Sequence, residues 1–269
     1  QAGFQCATSA ANRADFVQAT KTRVETYGYD GIDLDWEPLA DSDHDAFTLL
    51  LADLRAEMPN TLITMPVAHG NYNIPTDRTY FAAIARQLNQ VNVMTYGMAG
   101  TWPGWKSWHA SPLHWNNDRS TPMAVDISVD GLLDAGVPAA KLGLGAGFFG
   151  LCYTAPVTGP VQALEGATMV GDHLMSYAHV MTDFYSPAAR RWDDQAMVPY
   201  LSFSIAQGTE GCTYISYEDE QSLAEKAAYA KSKGLGGVVV WTINQGYFAA
   251  RPVGQRIPLL EALRIGFLE

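Results

Sequence analysis

The stretch Asp30-Gly31-Ile32-Asp33-Leu34-Asp35-Trp36-Glu37 sets acidic and apolar residues in strict alternation. Successive residues of a strand face opposite sides. Asp33, Asp35 and Glu37 therefore share one face, and Ile32, Leu34 and Trp36 share the other. The apolar face suits packing under helices. The acidic face places its carboxylates roughly 6–7 Å apart along the strand, close enough for side-chain rotation to bring them into contact. Three such groups in a confined site cannot all ionise cheaply, because like charge and burial both raise a carboxyl pKa. A carboxylic acid that stays protonated near neutral pH is what a general acid requires. Glu37 is the last and longest of the three, with Asp35 placed to share a proton with it. Spacing alone leaves three readings open: catalysis, a cation held by oxygen ligands, and a solvated strand end.

Outward from this stretch, apolar runs alternate with helical segments, the pattern of a parallel α/β fold. Before it, Phe16, Thr20, Val24 and Tyr27 fall at helical spacing from Asn12, and Gly28 ends the helix. After it, Asp41-Ser42-Asp43 caps a helix through Phe47, Leu50, Leu51 and Leu54. Further strands are expected at 61–67, 91–96, 142–146 and 238–241, and further helices at 77–90, 125–135, 221–233 and 258–264. Residues 148–218 read as a less regular insertion with extended pieces such as Tyr214 to Tyr217. Five βα repeats emerge, whereas a closed β/α barrel needs eight. The 269 residues form one unit, with 148–218 inserted between its last two strands.

Composition narrows the partners. The formal net charge is -11, and charged residues make up 17% against ~25% in an average domain. Nucleic acid and anionic membrane both need a basic face, so neither is expected. A neutral polysaccharide fits. Seven Trp and thirteen Tyr are compatible with sugar stacking, although core packing is the better reading for any single one of them. No apolar run approaches the ~20 residues of a membrane span. Gln1 to Phe4 reads as a mature or truncated start rather than a signal peptide. Cys6, Cys152 and Cys212 lack zinc spacing. Cys152 and Cys212 pair if the fold brings them together, as in an extracellular protein, and otherwise stay free and buried. No metal or cofactor is expected.

The eight-residue string resembles the D-G-x-D-x-D-W-E signature of family 18 glycoside hydrolases, the chitinase family, at every defined position including Trp36. Val93-Met94-Thr95-Tyr96 resembles the family's M-x-Y strand, and 102–113 the loop after it. Gly136 to Gly145, Ser216 to Lys226 and Gly236 to Trp241 resemble its later segments in the right order. The resemblance spans about Ala11 to Arg264. It implies an incomplete (β/α)8 TIM barrel corresponding to strands four to eight, with the first three absent.

The resemblance also implies roles. Glu37 would protonate the glycosidic oxygen while the substrate's own N-acetyl group attacks the anomeric carbon, an exception to the usual two-carboxylate scheme. Asp35 would orient that acetamido group, Asp33 would hold Asp35, and Tyr96 would hydrogen-bond the acetyl oxygen. Trp241 would form the floor under the sugar. Met94 would line the pocket, with plain core as its alternative. Apart from the resemblance, Trp102, Trp105 and Trp108 are sugar-stacking candidates, with core or interface packing equally open for any one of them, and Trp102 is taken as substrate-binding. Two departures remove polar contacts: Gly97 stands where the family has Asp, and Phe149-Gly150-Leu151 where Y-G-R is common.

Chitin hydrolysis, weakened by the missing strands, is the expected activity of a secreted enzyme. Alternatives are an endo-β-N-acetylglucosaminidase on N-glycans and a chitin-binding lectin without catalysis. Five strands leave two open edges. Truncation, a second copy of the chain, or the insertion folding back would each account for them. A homo-oligomer covering the edges is the preferred expectation.

Overall fold

The computed structural model describes residues 1–69, 78–115 and 123–269. Five strands form a parallel sheet: β1 (Gly31–Asp33), β2 (Leu62–Ala68), β3 (Gln90–Met94), β4 (Leu142–Gly147) and β10 (Gly237–Trp241), in the order β1-β2-β3-β4-β10. Each strand lies beside its predecessor in this set, which is the topology of an incomplete barrel. β1 and β10 are its edges. Val91, Val93, Leu142 and Leu144 are fully buried, as expected of strands covered on both faces.

The helices are α1 (Ala2–Ala7), α2 (Arg13–Tyr27), α3 (His44–Glu57), α4 (Arg78–Ile84), α5 (Val125–Asp134), the single turn α6 (Tyr177–His179), α7 (Glu220–Lys233) and α8 (Pro258–Leu268). α2 packs beside α3, α4 beside α5, and α7 beside α8. α2 ends at Gly28, whose φ of 66° lies in the left-handed region that favours glycine. It buries Val17 and Val24 and half-buries Phe16, whereas Tyr27 points outward. α4 is shorter than the spacing suggests. After Ile84 the chain tightens, with Gln87 N donating to Ile84 O at 2.9 Å, and Gln90 already belongs to β3. Asp77 lies outside the described residues. α8 runs four residues past the expected Arg264, to Leu268.

Between β4 and β10 the chain builds a second sheet, more regular than its sequence suggests. It comprises β5 (Phe149–Thr154), β6 (Met169–Ser176), β7 (Arg190–Asp193), β8 (Val198–Gln207) and β9 (Cys212–Ser216), antiparallel in the order β6-β5-β9-β8-β7. Register shifts after Phe149, Tyr153 and Ser202 break the period-2 pattern, which explains why the segment reads as irregular. These strands pair with neither β1 nor β10 among the described residues, so no strand of this segment extends the parallel sheet there. Cys152 on β5 and Cys212 on β9 form a disulfide with Cα atoms 5.4 Å apart. Cys6 is free and exposed. Buried His109, from the long loop after β3, fastens that loop to the sheet. Its Nε2 lies 3.0 Å from Asp193 and its Nδ1 2.9 Å from the Tyr214 hydroxyl. Among the described residues, no helix is long and apolar enough to cross a membrane.

Candidate active site

The regular part of β1 ends at Asp33, sooner than the alternating sequence suggests. Leu34 N still donates to Thr64 O at 2.9 Å, but Trp36 N turns back to Leu34 O at 3.2 Å. The alternation nevertheless persists through Glu37. Leu34 and Trp36 are buried, and Ile32 packs against the same core. Trp36 stacks on Phe4 with ring centroids 5.0 Å apart and meets Phe47 edge-on at 6.2 Å. These contacts with α1 and α3 anchor the apolar side. Asp33, Asp35 and Glu37 face the opposite way, into a cleft of about 600 Å³ at the C-terminal ends of the strands. All three are solvent-accessible at its mouth.

Thr64, the β2 residue in register with Asp33, donates its hydroxyl to the Asp33 carboxylate. Reduced solvation in the cleft raises the Asp33 pKa, the Thr64 hydrogen bond opposes this, and the charge of Asp35 adds to the rise. The Glu37 pKa is raised as well. Reduced solvation is the first cause, the negative charge of Asp35 the second, and a hydrogen bond with Asp35 the third. The ladder therefore contains an acid inclined to hold its proton, as a proton donor must.

Tyr96, two residues past β3, lines the same cleft and packs edge-on against Phe149 at 5.9 Å. Burial, followed by the charges of Glu37, Asp35, Asp33 and Asp172, holds its phenol well above the ordinary range. It remains a hydrogen-bond donor at any working pH. Met94 and Trp241 also line the cleft, and Trp241 is 44% exposed at the end of β10. Gly97 has φ 61°, a left-handed conformation that an aspartate would adopt less readily.

The tryptophans of the long loop divide. Trp102 is 51% exposed and meets Trp105 at 4.5 Å, but it is not among the cleft-lining residues. Trp108 is core rather than a stacking platform, because it is buried and its indole N–H donates to Met123 O at 2.7 Å. No cluster of His, Cys, Asp or Glu among the described residues has metal-binding geometry.

Two cleft residues carry no motif. His69 follows β2, and its Nδ1 lies 3.2 Å from Met94 O. A carbonyl only accepts, so Nδ1 carries the proton. Burial lowers the His69 pKa against that hydrogen bond, leaving the ring neutral. Its place just past the end of a parallel strand is a signal that could have found it. Asp172, on β6, lines the opposite wall. It lies in the segment where the sequence pattern is weakest, and no spacing rule singles it out.

Against this geometry, the model of the family described as "Glycosyl hydrolases family 18" matches residues 1–246. The chain belongs to this family. It is 32% identical to chitinase A1 of Niallia circulans over 274 aligned positions, covering 88% of this chain and 38% of that protein. A probable chitinase 2 of Drosophila melanogaster is 28% identical, with 88% and 51% covered. Among solved structures, a family 18 N-acetylglucosaminidase from Paenibacillus barengoltzii is 27% identical with a TM-score of 0.77. That match covers 97% of this chain and 78% of that one. The chain thus spans about half, or less, of the length of these two curated relatives. The five-stranded parallel sheet is the family 18 partial barrel.

Proposed function

We propose that this chain hydrolyses β-1,4 links between N-acetylglucosamine units, in chitin or chito-oligosaccharides, with retention of configuration. The observation that carries this reading is Glu37. It stands at the open end of the parallel sheet with its pKa raised by the cleft and by Asp35. In the proposed reaction Glu37 gives its proton to the glycosidic oxygen as the bond to the anomeric carbon breaks. The acetamido oxygen of the same sugar attacks that carbon, forming an oxazolinium ion. Water then opens the ion, its proton returns to Glu37, and the product keeps its configuration.

Asp35 orients the acetamido group, and Asp33 supports Asp35 from behind. Tyr96, held as a donor, stabilises the acetyl oxygen as charge develops on it. Trp241 is the floor under the sugar and Met94 lines the pocket. Trp102, exposed and outside the cleft, is a further sugar-stacking residue in this scheme. No cofactor enters this scheme. The chitinases among the relatives support the substrate class. The deciding experiment is hydrolysis of a fluorogenic chito-oligosaccharide by the intact chain and by Glu37→Gln. Equal turnover by the two would remove Glu37 from the scheme.

Secretion is part of the proposal, supported by the Cys152–Cys212 disulfide, since such bonds persist in oxidising compartments. So is a homo-oligomer that covers the two sheet edges. Beside β10, an apolar groove of about 640 Å³ is lined by Val238, Val240, Leu260, Leu263 and Phe267. Light scattering after size exclusion tests it, and a stable monomer at low concentration would refute it.

A further inference from the structure

We propose that Asp172 is a positioning residue, which fixes the indole plane of Trp241 and thereby ties the sugar platform to the second sheet. The inference rests on the reading of Trp241 as that platform.

Trp241 ends an edge strand and is 44% exposed. An indole in that setting has few neighbours to select one rotamer, and ordering it on ligand binding costs affinity. Its single hydrogen-bonding group is Nε1–H. Asp172 Oδ1 accepts that hydrogen at 3.2 Å. The same oxygen accepts from Gln245 Nε2 at 2.7 Å. Gln245 is itself buried in the short turn Ile243–Gly246 that follows β10. One carboxylate oxygen therefore joins β6, the end of β10 and the turn beyond it. An ionised acceptor makes the stronger kind of hydrogen bond.

The backbone supports this aim. Asp172 has φ 52°, one of three non-glycine residues in the left-handed region among those described. Aspartate and asparagine tolerate that conformation better than most residues. It turns the side chain of a β6 residue across the cleft to an edge strand that β6 does not pair with. Gly171 beside it leaves room for Leu151, whose Cδ2 would lie 2.4 Å from an added Cβ. The β6 segment is thus seated against β5 where Asp172 reaches out.

The test is a double-mutant cycle with a spectroscopic arm. Asp172→Ala, Asp172→Asn, Trp241→Ala and the Asp172→Ala/Trp241→Ala pair are compared on a fluorogenic chito-oligosaccharide. Asp172→Ala is expected to raise KM about three- to tenfold with kcat changed less, the range for ordering one side chain on binding. Asp172→Asn keeps an acceptor oxygen and recovers most of the loss. In the Trp241→Ala background, Asp172→Ala adds nothing further. A full additional loss there would mean that Asp172 touches substrate directly, and would overturn the proposal. The second arm needs no substrate. Acrylamide quenching of the Trp241 fluorescence, taken as the difference from Trp241→Phe, should increase in Asp172→Ala and return towards wild type in Asp172→Asn. Unchanged quenching would overturn the proposal even if the chain proved inactive. If Trp241→Ala alone left KM untouched, the platform reading would fail, whatever the quenching reported.

Discussion

Thr64 and Asp33 face each other across the β1–β2 ladder, and the Thr64 hydroxyl donates to the Asp33 carboxylate. That hydrogen bond favours the charged form against the rise imposed by reduced solvation and by Asp35. Thr64→Val removes the donor at nearly constant volume. The Asp33 pKa should then climb further, so that Asp33 takes up its proton at a higher pH than in the wild type. Carboxyl carbon NMR titration measures this directly, and an unchanged Asp33 midpoint would show that the threonine does not tune it.

Glu37→Gln keeps the shape of the side chain and deletes the transferable proton. General acids contribute about 10²-fold or more, so kcat should fall by at least that factor, roughly 3 kcal/mol in activation free energy. Binding of a chito-oligosaccharide should survive, which calorimetry on the variant can establish. Loss of binding together with turnover would point to a misfolded cleft instead.

Asp35→Asn should move the alkaline limb of the kcat/KM profile to lower pH. The sign follows from the causes of the Glu37 shift. The charge of Asp35 and the hydrogen bond it shares with Glu37 both raise that pKa. Removing the charge lets Glu37 lose its proton earlier as pH rises, and the active protonated fraction shrinks from the alkaline side. The maximal rate should fall too, since Asp35 is assigned to the acetamido group. A limb that stays in place would uncouple the two carboxyls.

Lys226 is fully buried on α7 and pairs with buried Glu218. It also donates to Ser111 O and Oγ, both at 2.7 Å. Burial lowers its pKa and Glu218 opposes the shift. Lys226→Ala strands a carboxylate in the core and should cost about 3–5 kcal/mol of stability. Lys226→Met with Glu218→Leu should cost clearly less, because no unpaired charge remains. Urea unfolding of the three chains separates the outcomes.

Joining Cys152 to Cys212 closes a loop with a sequence separation of 60. Replacing both by Ala should lower stability by about 2–4 kcal/mol. If the wild-type unfolding midpoint is the same with and without reductant, the bond contributes nothing.

Much of the parallel sheet was legible because its signals are local. Val91, Val93, Leu142 and Leu144 announce strands buried on both faces, and Gly28 and Gly234 mark helix ends with positive φ. The acidic ladder was legible for the same reason: Leu34 and Trp36 go in, and the acids go out into the cleft. The second sheet was not, because its register shifts after Phe149, Tyr153 and Ser202 erase the period on which such readings depend. Asp172 was invisible because what matters about it is long-range: its partners Trp241 and Gln245 lie 69 and 73 residues away. For Trp108 the sequence left stacking and core packing open, because burial depends on what the folded loop packs against, and its own neighbours in sequence do not encode that.

The backbone of Gly237–Trp241 offers peptide groups on the side away from β4, along a ribbon of valines without a single charge. Once warming dissociates the proposed oligomer and uncovers this edge, such a ribbon can seed cross-β growth. Turbidity on warming a concentrated solution should therefore precede loss of the near-ultraviolet circular dichroism signal. A lysine scan across those five positions would locate the seed.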